Sequence, residues 1–248
     1  MSTITENYKE VRERIDEACR KVGRKPEEVT LIAVSKTHPA EYVEELLPLG
    51  VVDFGENKVQ ELCAKQDEVQ EWCAGQDEAQ QAAQKPLRWH LIGHLQRNKV
   101  KQVVGRAYMI HSVDSLRLAQ EIEKEAGKAG ITAQILVEIN IGAEESKSGT
   151  TPEEAPELIR AISQMEHVHV NGLMCIAPIV EKPEDARPYF ARMRALREEI
   201  AAMELPNVEM RELSMGMTGD FEAAVAEGAT FVRVGTAIFG HRDYGTAQ

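Results

Sequence analysis

Val29-Thr30-Leu31-Ile32-Ala33-Val34-Ser35-Lys36-Thr37-His38-Pro39 is the stretch from which the fold can be read. Residues 29–34 are apolar and rich in β-branched side chains, the pattern of a short strand buried on both faces. Pro39 suits the first position of a following helix, where its missing N–H costs nothing. Lys36 therefore stands at the carboxyl end of a buried parallel strand. There it either caps the strand at the surface or faces the mouth of the sheet, where α/β proteins keep their chemistry. A lysine partly withdrawn from water can attack an aldehyde. These eleven residues leave both readings open.

The same pattern repeats outward. Strands are predicted near 51–54, 88–92, 108–113, 132–139, 168–176, 208–213 and 230–234, each followed by a helical segment except the last, which runs into a short tail. An amphipathic helix over 3–22 precedes the set. Asp114 reads as a helix cap, and Thr151-Pro152-Glu153-Glu154 as a capping box with proline at the first helical position. Strict strand–helix alternation implies parallel strands and right-handed crossovers. Eight such units in 248 residues predict an α/β fold, a single-domain (β/α)8 TIM barrel over 1–248. An open doubly wound sheet is its competitor. Residues 63–85 stand apart: Cys63-Ala-Lys-Gln-Asp-Glu-Val-Gln-Glu nearly repeats from Cys73, and the segment is polar and Gln-rich. It reads as a solvated helical insertion with a mobile connection into Lys85-Pro86.

Composition narrows the function. The hydrophobic content of 43% and charged content of 28% are those of a globular chain with a sizeable core. The net charge of −12, from 29 basic and 41 acidic side chains, argues against a general nucleic-acid binder, which needs a clustered basic face. No apolar run has membrane-span length and residues 1–21 lack a signal-peptide core, so the expected location is cytoplasmic, without a membrane partner. The four cysteines form no Cys-x-x-Cys pair, and neither metal nor disulfide is expected.

Two segments near the carboxyl terminus carry the chemistry. Ser214-Met215-Gly216-Met217 follows the seventh strand and Arg233-Val234-Gly235-Thr236 closes the eighth. In a barrel, the loops after these strands build a phosphate site. Gly216 and Gly235 allow close backbone approach, and Ser214 and Thr236 add hydroxyl donors; two tight turns without a ligand are the plainer reading. A phosphate grip beside a lysine on the neighbouring first strand points to one ligand, pyridoxal 5′-phosphate (PLP). His90 and His94 read as pocket lining or packing rather than a metal pair, because a strand running into a loop does not align residues four apart. Met174 is expected near the cofactor face or in the core.

The segments LIAVSKTHPAE, VDFGENKVQE, WHLIGHLQRNKVK, IHSVDSL, VEINIGAEESKSG, NGLMCIAP, LSMGMTGDFEAAVAEG and VRVGTAIFG resemble those of the pyridoxal phosphate homeostasis proteins, single-domain relatives of the alanine racemase barrel. The resemblance covers nearly the whole chain outside 63–85. It implies that Lys36 matches the Schiff-base lysine and Asn57 the residue near the ring hydroxyl. It further implies that Ser214, Met215, Gly235 and Thr236 match the phosphate cradle, Arg233 a residue facing the pyridine nitrogen, and Lys147 a lysine at the pocket mouth. The implied function is PLP holding and supply, indirectly affecting amino- and keto-acid balance, in a monomer. The apoenzymes that use PLP would then be its recipients. A racemase-like enzyme on the same scaffold, with an unidentified second base, is the alternative, and a phosphate-sugar or nucleotide-binding barrel a third. The racemases' second base comes with a β domain, of which this sequence shows no sign, and an arginine at the ring nitrogen leaves the ring a poorer electron sink. Both points favour a holder over a catalyst.

Overall fold

A computed structural model describes residues 3–77, 85–144 and 147–240. Eight parallel strands close into a barrel in chain order: β1 Thr30–Val34, β2 Asp53–Glu56, β3 Arg88–Leu91, β4 Met109–Val113, β5 Ala133–Ile139, β6 Val168–Cys175, β7 Val208–Ser214 and β8 Phe231–Val234. The expected barrel is therefore the observed one, and the open sheet is excluded. Ring closure joins β1 to β8 with Ile32 opposite Arg233 and Ala33 opposite Val234. β7 meets β8 at Ser214 and Phe231.

Helices cover the outside: α1 Ile4–Lys21, α2 Ala40–Glu44, α3 Val59–Ala74, α4 Val100–Val103, α5 Leu116–Ala129, α6 Ala155–Ile162, α7 Arg187–Ala201, α8 Phe221–Ala226 and α9 Thr236–Phe239. α1 starts on a capping box in which Thr3 accepts from Glu6 N and the Glu6 carboxylate accepts from Thr3 N. Its buried stripe of Val11, Ile15 and Ala18 packs beneath α8 and α9. None of the helices among the described residues is long and apolar enough to cross a membrane. The main core lies between sheet and helices. A second, smaller cluster of Ile32, Val34, Ile92, Met109, Leu136, Met174 and Phe231 is separate from it, the strand side chains that fill the barrel interior.

Some local expectations shift. Pro39 caps α2 rather than opening it. β2 begins at Asp53 and runs through Gly55 and Glu56 instead of ending at Phe54, because pairing with β1 (Ala33 to Phe54, Val34 to Gly55) sets its span. The cap of α5 is Ser115, not Asp114, and makes no side-chain cap bond. Thr151 does accept from Glu154 N (3.2 Å), although the regular helix starts at Ala155. The segment from 63 onward is not simply solvated: α3 runs to Ala74 and buries Lys65 and Val69. The connection expected further along falls on 78–84, outside the described residues.

Candidate functional site

Lys36 leaves the end of β1 at the wall of a cavity of about 550 Å³ at the carboxyl ends of the strands. The loop that carries it is pinned from below. Ser35 N donates to Gly55 O (3.1 Å) and Ser35 Oγ to Glu56 Oε1 (2.7 Å). Lys65, reaching in from α3, donates to Ser35 O (2.8 Å) and Glu56 Oε1 (2.5 Å). Thr37 adopts φ +64, uncommon for a β-branched residue, and its N–H is held by the Glu61 carboxylate, also from α3. Holding a residue there costs about 1–3 kcal/mol, supplied by these surrounding bonds. The Glu56–Lys65 pair is almost wholly buried, at 0% and 5% side-chain exposure. Burial pushes the Glu56 carboxyl up despite the opposing pull of Lys65 and Ser35. Its Oε2 lacks a hydrogen-bond partner among the described residues.

Across the seam, Arg233 of β8 lies under the cavity with 4% exposure. Its Nη2 donates to Cys175 O (2.8 Å) and its Nη1 to Ser214 Oγ (2.7 Å). Gly235 and Thr236 complete that wall. A Cβ on Gly235 would come within 3.1 Å of Val34 O, so glycine is what lets β8 turn this closely over β1. Asn57 and Lys147 also line the cavity. Lys147 Nζ donates to Glu144 Oε1 (2.6 Å) and Ala177 O (3.4 Å). His94 lines the mouth, whereas His90 is fully buried in the barrel and bonds to Asp53 and His111.

Lys36, Asn57, Arg233, Gly235, Thr236 and Lys147 thus share one cavity. Four further expectations do not reach its wall. Met174 is fully buried within the inner apolar cluster. Met215 is fully buried in the outer core, between sheet and helices. Ser214 is also fully buried, and its hydroxyl is taken by Arg233 and His111. Gly216 has φ +91, and a Cβ there would meet Ala224 Cβ at 2.6 Å, so packing on α8 requires glycine here. The β7 loop instead reaches the cavity through Met217, Thr218 and Gly219, one to three residues later. A Cβ on Gly219 would meet nothing within 4 Å among the described residues.

One group at the wall was not foreseen. Glu138, near the end of β5, is 6% exposed, and burial pushes its carboxyl up to about 7, with Asp114 adding to the rise and Arg233 opposing it. A charged residue inside the otherwise apolar run Leu136-Val137-Glu138-Ile139 was the available signal. A folded-state value above 4.5 means the folded chain binds this proton more tightly than the unfolded chain. The stabilisation is present below about pH 4.5 and is lost as pH rises through about 7. Glu138→Gln is therefore expected to match the parent near pH 4.5 and to exceed it by on the order of 3 kcal/mol at about pH 8. Urea unfolding across this range checks it; a difference independent of pH would refute the assignment.

Comparison with known proteins agrees with this architecture. The family model described as "Alanine racemase, N-terminal domain" matches residues 2–243. The pyridoxal phosphate homeostasis protein of Aquifex aeolicus is 43% identical over 239 residues, covering 96% of this chain and 98% of that protein. A crystal structure described as that of an unknown protein from Bifidobacterium adolescentis superimposes with a TM-score of 0.88 at 39% identity, over 95% of this chain and 94% of that one. PipY of Synechococcus elongatus, solved with PLP bound, superimposes with a TM-score of 0.75 at 36% identity, over 91% of this chain and all of PipY. The chain belongs to the alanine racemase N-terminal domain family and, within it, to the pyridoxal phosphate homeostasis proteins.

Proposed function

We propose that this protein binds pyridoxal 5′-phosphate in the cavity at the β1–β8 seam, with Lys36 as the amine that carries it, and serves to hold and supply the cofactor within the cell. The observation that carries this reading is the meeting of a primary amine, Lys36, with a buried guanidinium, Arg233, in one cavity of ligand size. The donor set fits the group. Lys36 offers the nucleophile, Thr218, Gly219, Gly235 and Thr236 offer hydroxyls and backbone for a phosphate, and Asn57 offers an amide for a ring oxygen. PLP, when bound, supplies an electron sink for amine chemistry. A guanidinium can donate but not accept a proton, so a ring nitrogen meeting Arg233 stays unprotonated and the sink is weak. Cys175, beside Arg233, has its thiol pushed up to about 12 by burial and supplies no thiolate at neutral pH. Together these features favour holding over turnover. PipY, a close structural relative, was solved with PLP bound, and the curated relatives carry homeostasis in their name.

Glu138 is the observation on the side of the racemase-like alternative, since a cavity carboxyl titrating near neutrality can both take and give a proton. Mixing the protein with PLP is expected to give a yellow species, and borohydride followed by peptide mapping to fix the cofactor on Lys36. Lys36→Ala is expected to lose the colour and the label. A colourless, unlabelled parent would refute the PLP reading. Steady incorporation of solvent deuterium at the α-carbon of added amino acids, abolished by Glu138→Gln, would replace the holder with the enzyme.

A further inference from the structure

A continuous line of side chains crosses the barrel interior beneath the cavity. Arg233 Nη1 lies 2.7 Å from Ser214 Oγ, which lies 2.9 Å from His111 Nδ1. His111 Nε2 lies 2.9 Å from His90 Nδ1, and His90 Nε2 lies 3.0 Å from Asp53 Oδ1. Asp53 Oδ2 is 2.5 Å from Arg88 Nη2. Arg88 reaches a second cavity, lined also by Glu212 and by Thr30 and Phe231, which open β1 and β8. Ser214, His111 and His90 are fully buried, and Arg233 and Asp53 nearly so.

Chemistry permits one direction for this line. An arginine only donates, so Ser214 Oγ accepts from Arg233. At the far end Asp53 is ionised: Arg88 and His90 hold its carboxyl below the usual range in spite of burial. It therefore accepts from Nε2–H of His90. Burial holds both imidazoles neutral; for His90 this outweighs the opposing pull of Asp53 and Glu212, and for His111 the neighbouring His90 and Arg233 add to it. His90 Nδ1 is then bare and must accept from His111 Nε2–H, whose own Nδ1 accepts the Ser214 hydroxyl. Every proton points away from Arg233 and toward Asp53. A proton wire ending at Arg233 is excluded, because a guanidinium has no lone pair to receive a proton.

We infer that Asp53, His90, His111 and Ser214 are positioning residues for Arg233: a one-directional hydrogen-bond chain that anchors the cavity's guanidinium and ties its setting to the charge at the opposite rim of the barrel. The histidine tautomers and the anchoring are independent of any ligand. Only the ligand readout below rests on the PLP reading.

The test uses the full-length protein labelled with 15N, with long-range ring correlations recorded from pH 6 to 8. Two buried histidines are expected as non-titrating Nε2–H tautomers. Asp53→Asn makes the sharpest demand. Its amide oxygen must face Arg88, a pure donor, so its NH2 faces His90 Nε2. Both rings are then expected to switch to the Nδ1–H form. Ser214→Ala, a mild change for the fold, is expected to shift only the outer nitrogen of His111. After loading with PLP it is expected to lose the cofactor about tenfold faster on dialysis than the parent, with borohydride labelling of Lys36 retained. Either ring titrating in this range, a parent His111 in the Nδ1–H form, tautomers unmoved by Asp53→Asn, or parent-like retention in Ser214→Ala would overturn the chain. A parent that takes up no PLP would instead refute the pocket reading, and the tautomers would still decide the chain.

Discussion

Lys65→Met is expected to lower the unfolding free energy by about 3–5 kcal/mol near pH 8, the usual cost of stranding one partner of a buried ion pair. The substitution keeps the length and apolar stem of the side chain, so the loss reads the ammonium group. Without it Glu56, 0% exposed and with one oxygen unpartnered among the described residues, loses the cation that draws its carboxyl down. It then folds protonated, which makes the variant's deficit smaller as pH falls. The sign follows from linkage: a carboxyl raised in the folded state gives stability that is present below about pH 4.5 and lost on the alkaline side. Adding Glu56→Gln to Lys65→Met removes the stranded carboxylate and is expected to recover much of the loss at pH 8. Urea unfolding of the parent and the two variants at two pH values checks this. A deficit equal at both, or no recovery in the double variant, would rule out the ion-pair account. The same variants test the loop above: with Ser35 O released, amide exchange at Ser35 and Thr37 should quicken more than across β5.

Gly172→Ala is the second large effect, expected to lower the unfolding free energy by about 4 kcal/mol or more. Gly172 has φ +155 and sits where the registers with both β5 and β7 slip, between Val170 and the pairs Leu136–Gly172 and Gly172–Glu212. An added Cβ would collide with the Glu212 carbonyl oxygen and stand 2.7 Å from its carbon and 2.9 Å from its nitrogen. Those are backbone atoms of the next strand, and they cannot swing aside as a flexible side chain can. Gly50→Ala is the fitting control: φ there is +76 but no atom lies within 4 Å, so only the left-handed backbone is penalised, by about 1–2 kcal/mol. Comparable losses at the two positions would show that space at the bulge is not the limiting factor.

The barrel was legible because its signal is redundant. Eight apolar runs alternate with eight amphipathic ones, and misplacing β2 by two residues does not alter the count. Lys36 was legible for the same reason, as the first polar side chain of length beyond a buried run. What escaped was whatever depends on two distant segments meeting. Glu56 and Lys65 read as loop and solvated helix because neither carries a local mark of burial, and it is the packing of α3 over β2 and β3 that joins them. The β7 loop was read at its glycine, Gly216, which packs on Ala224, whereas the side of the loop that lines the cavity comes one to three residues later. Met215 shows the limit of a residue match: it stands on the matched loop, yet its side chain enters the outer core, whereas Met174 takes its core reading, in the inner cluster with Val34 and Ile92. His90 and His111, each a polar ring in the middle of an apolar strand, were visible signals whose meaning required the neighbouring strand.

The seam between the first and last strands has a consequence for the life of the chain after synthesis. β8 is registered against β1 from Thr30 to Ala33 and against β7 at Ser214 and Phe231. The partners Ile32 and Arg233 lie some two hundred residues apart in sequence, so the ring cannot shut until nearly the whole barrel has left the ribosome. A small molecule bonded to Lys36 and held at Gly235 and Thr236 would bridge this joint as a clasp. At a hundredfold excess over its dissociation constant it would add about 2.7 kcal/mol to the closed state. Filled copies would then outlast empty ones against proteases, and the amount of this protein in a cell would itself record how much cofactor is to hand.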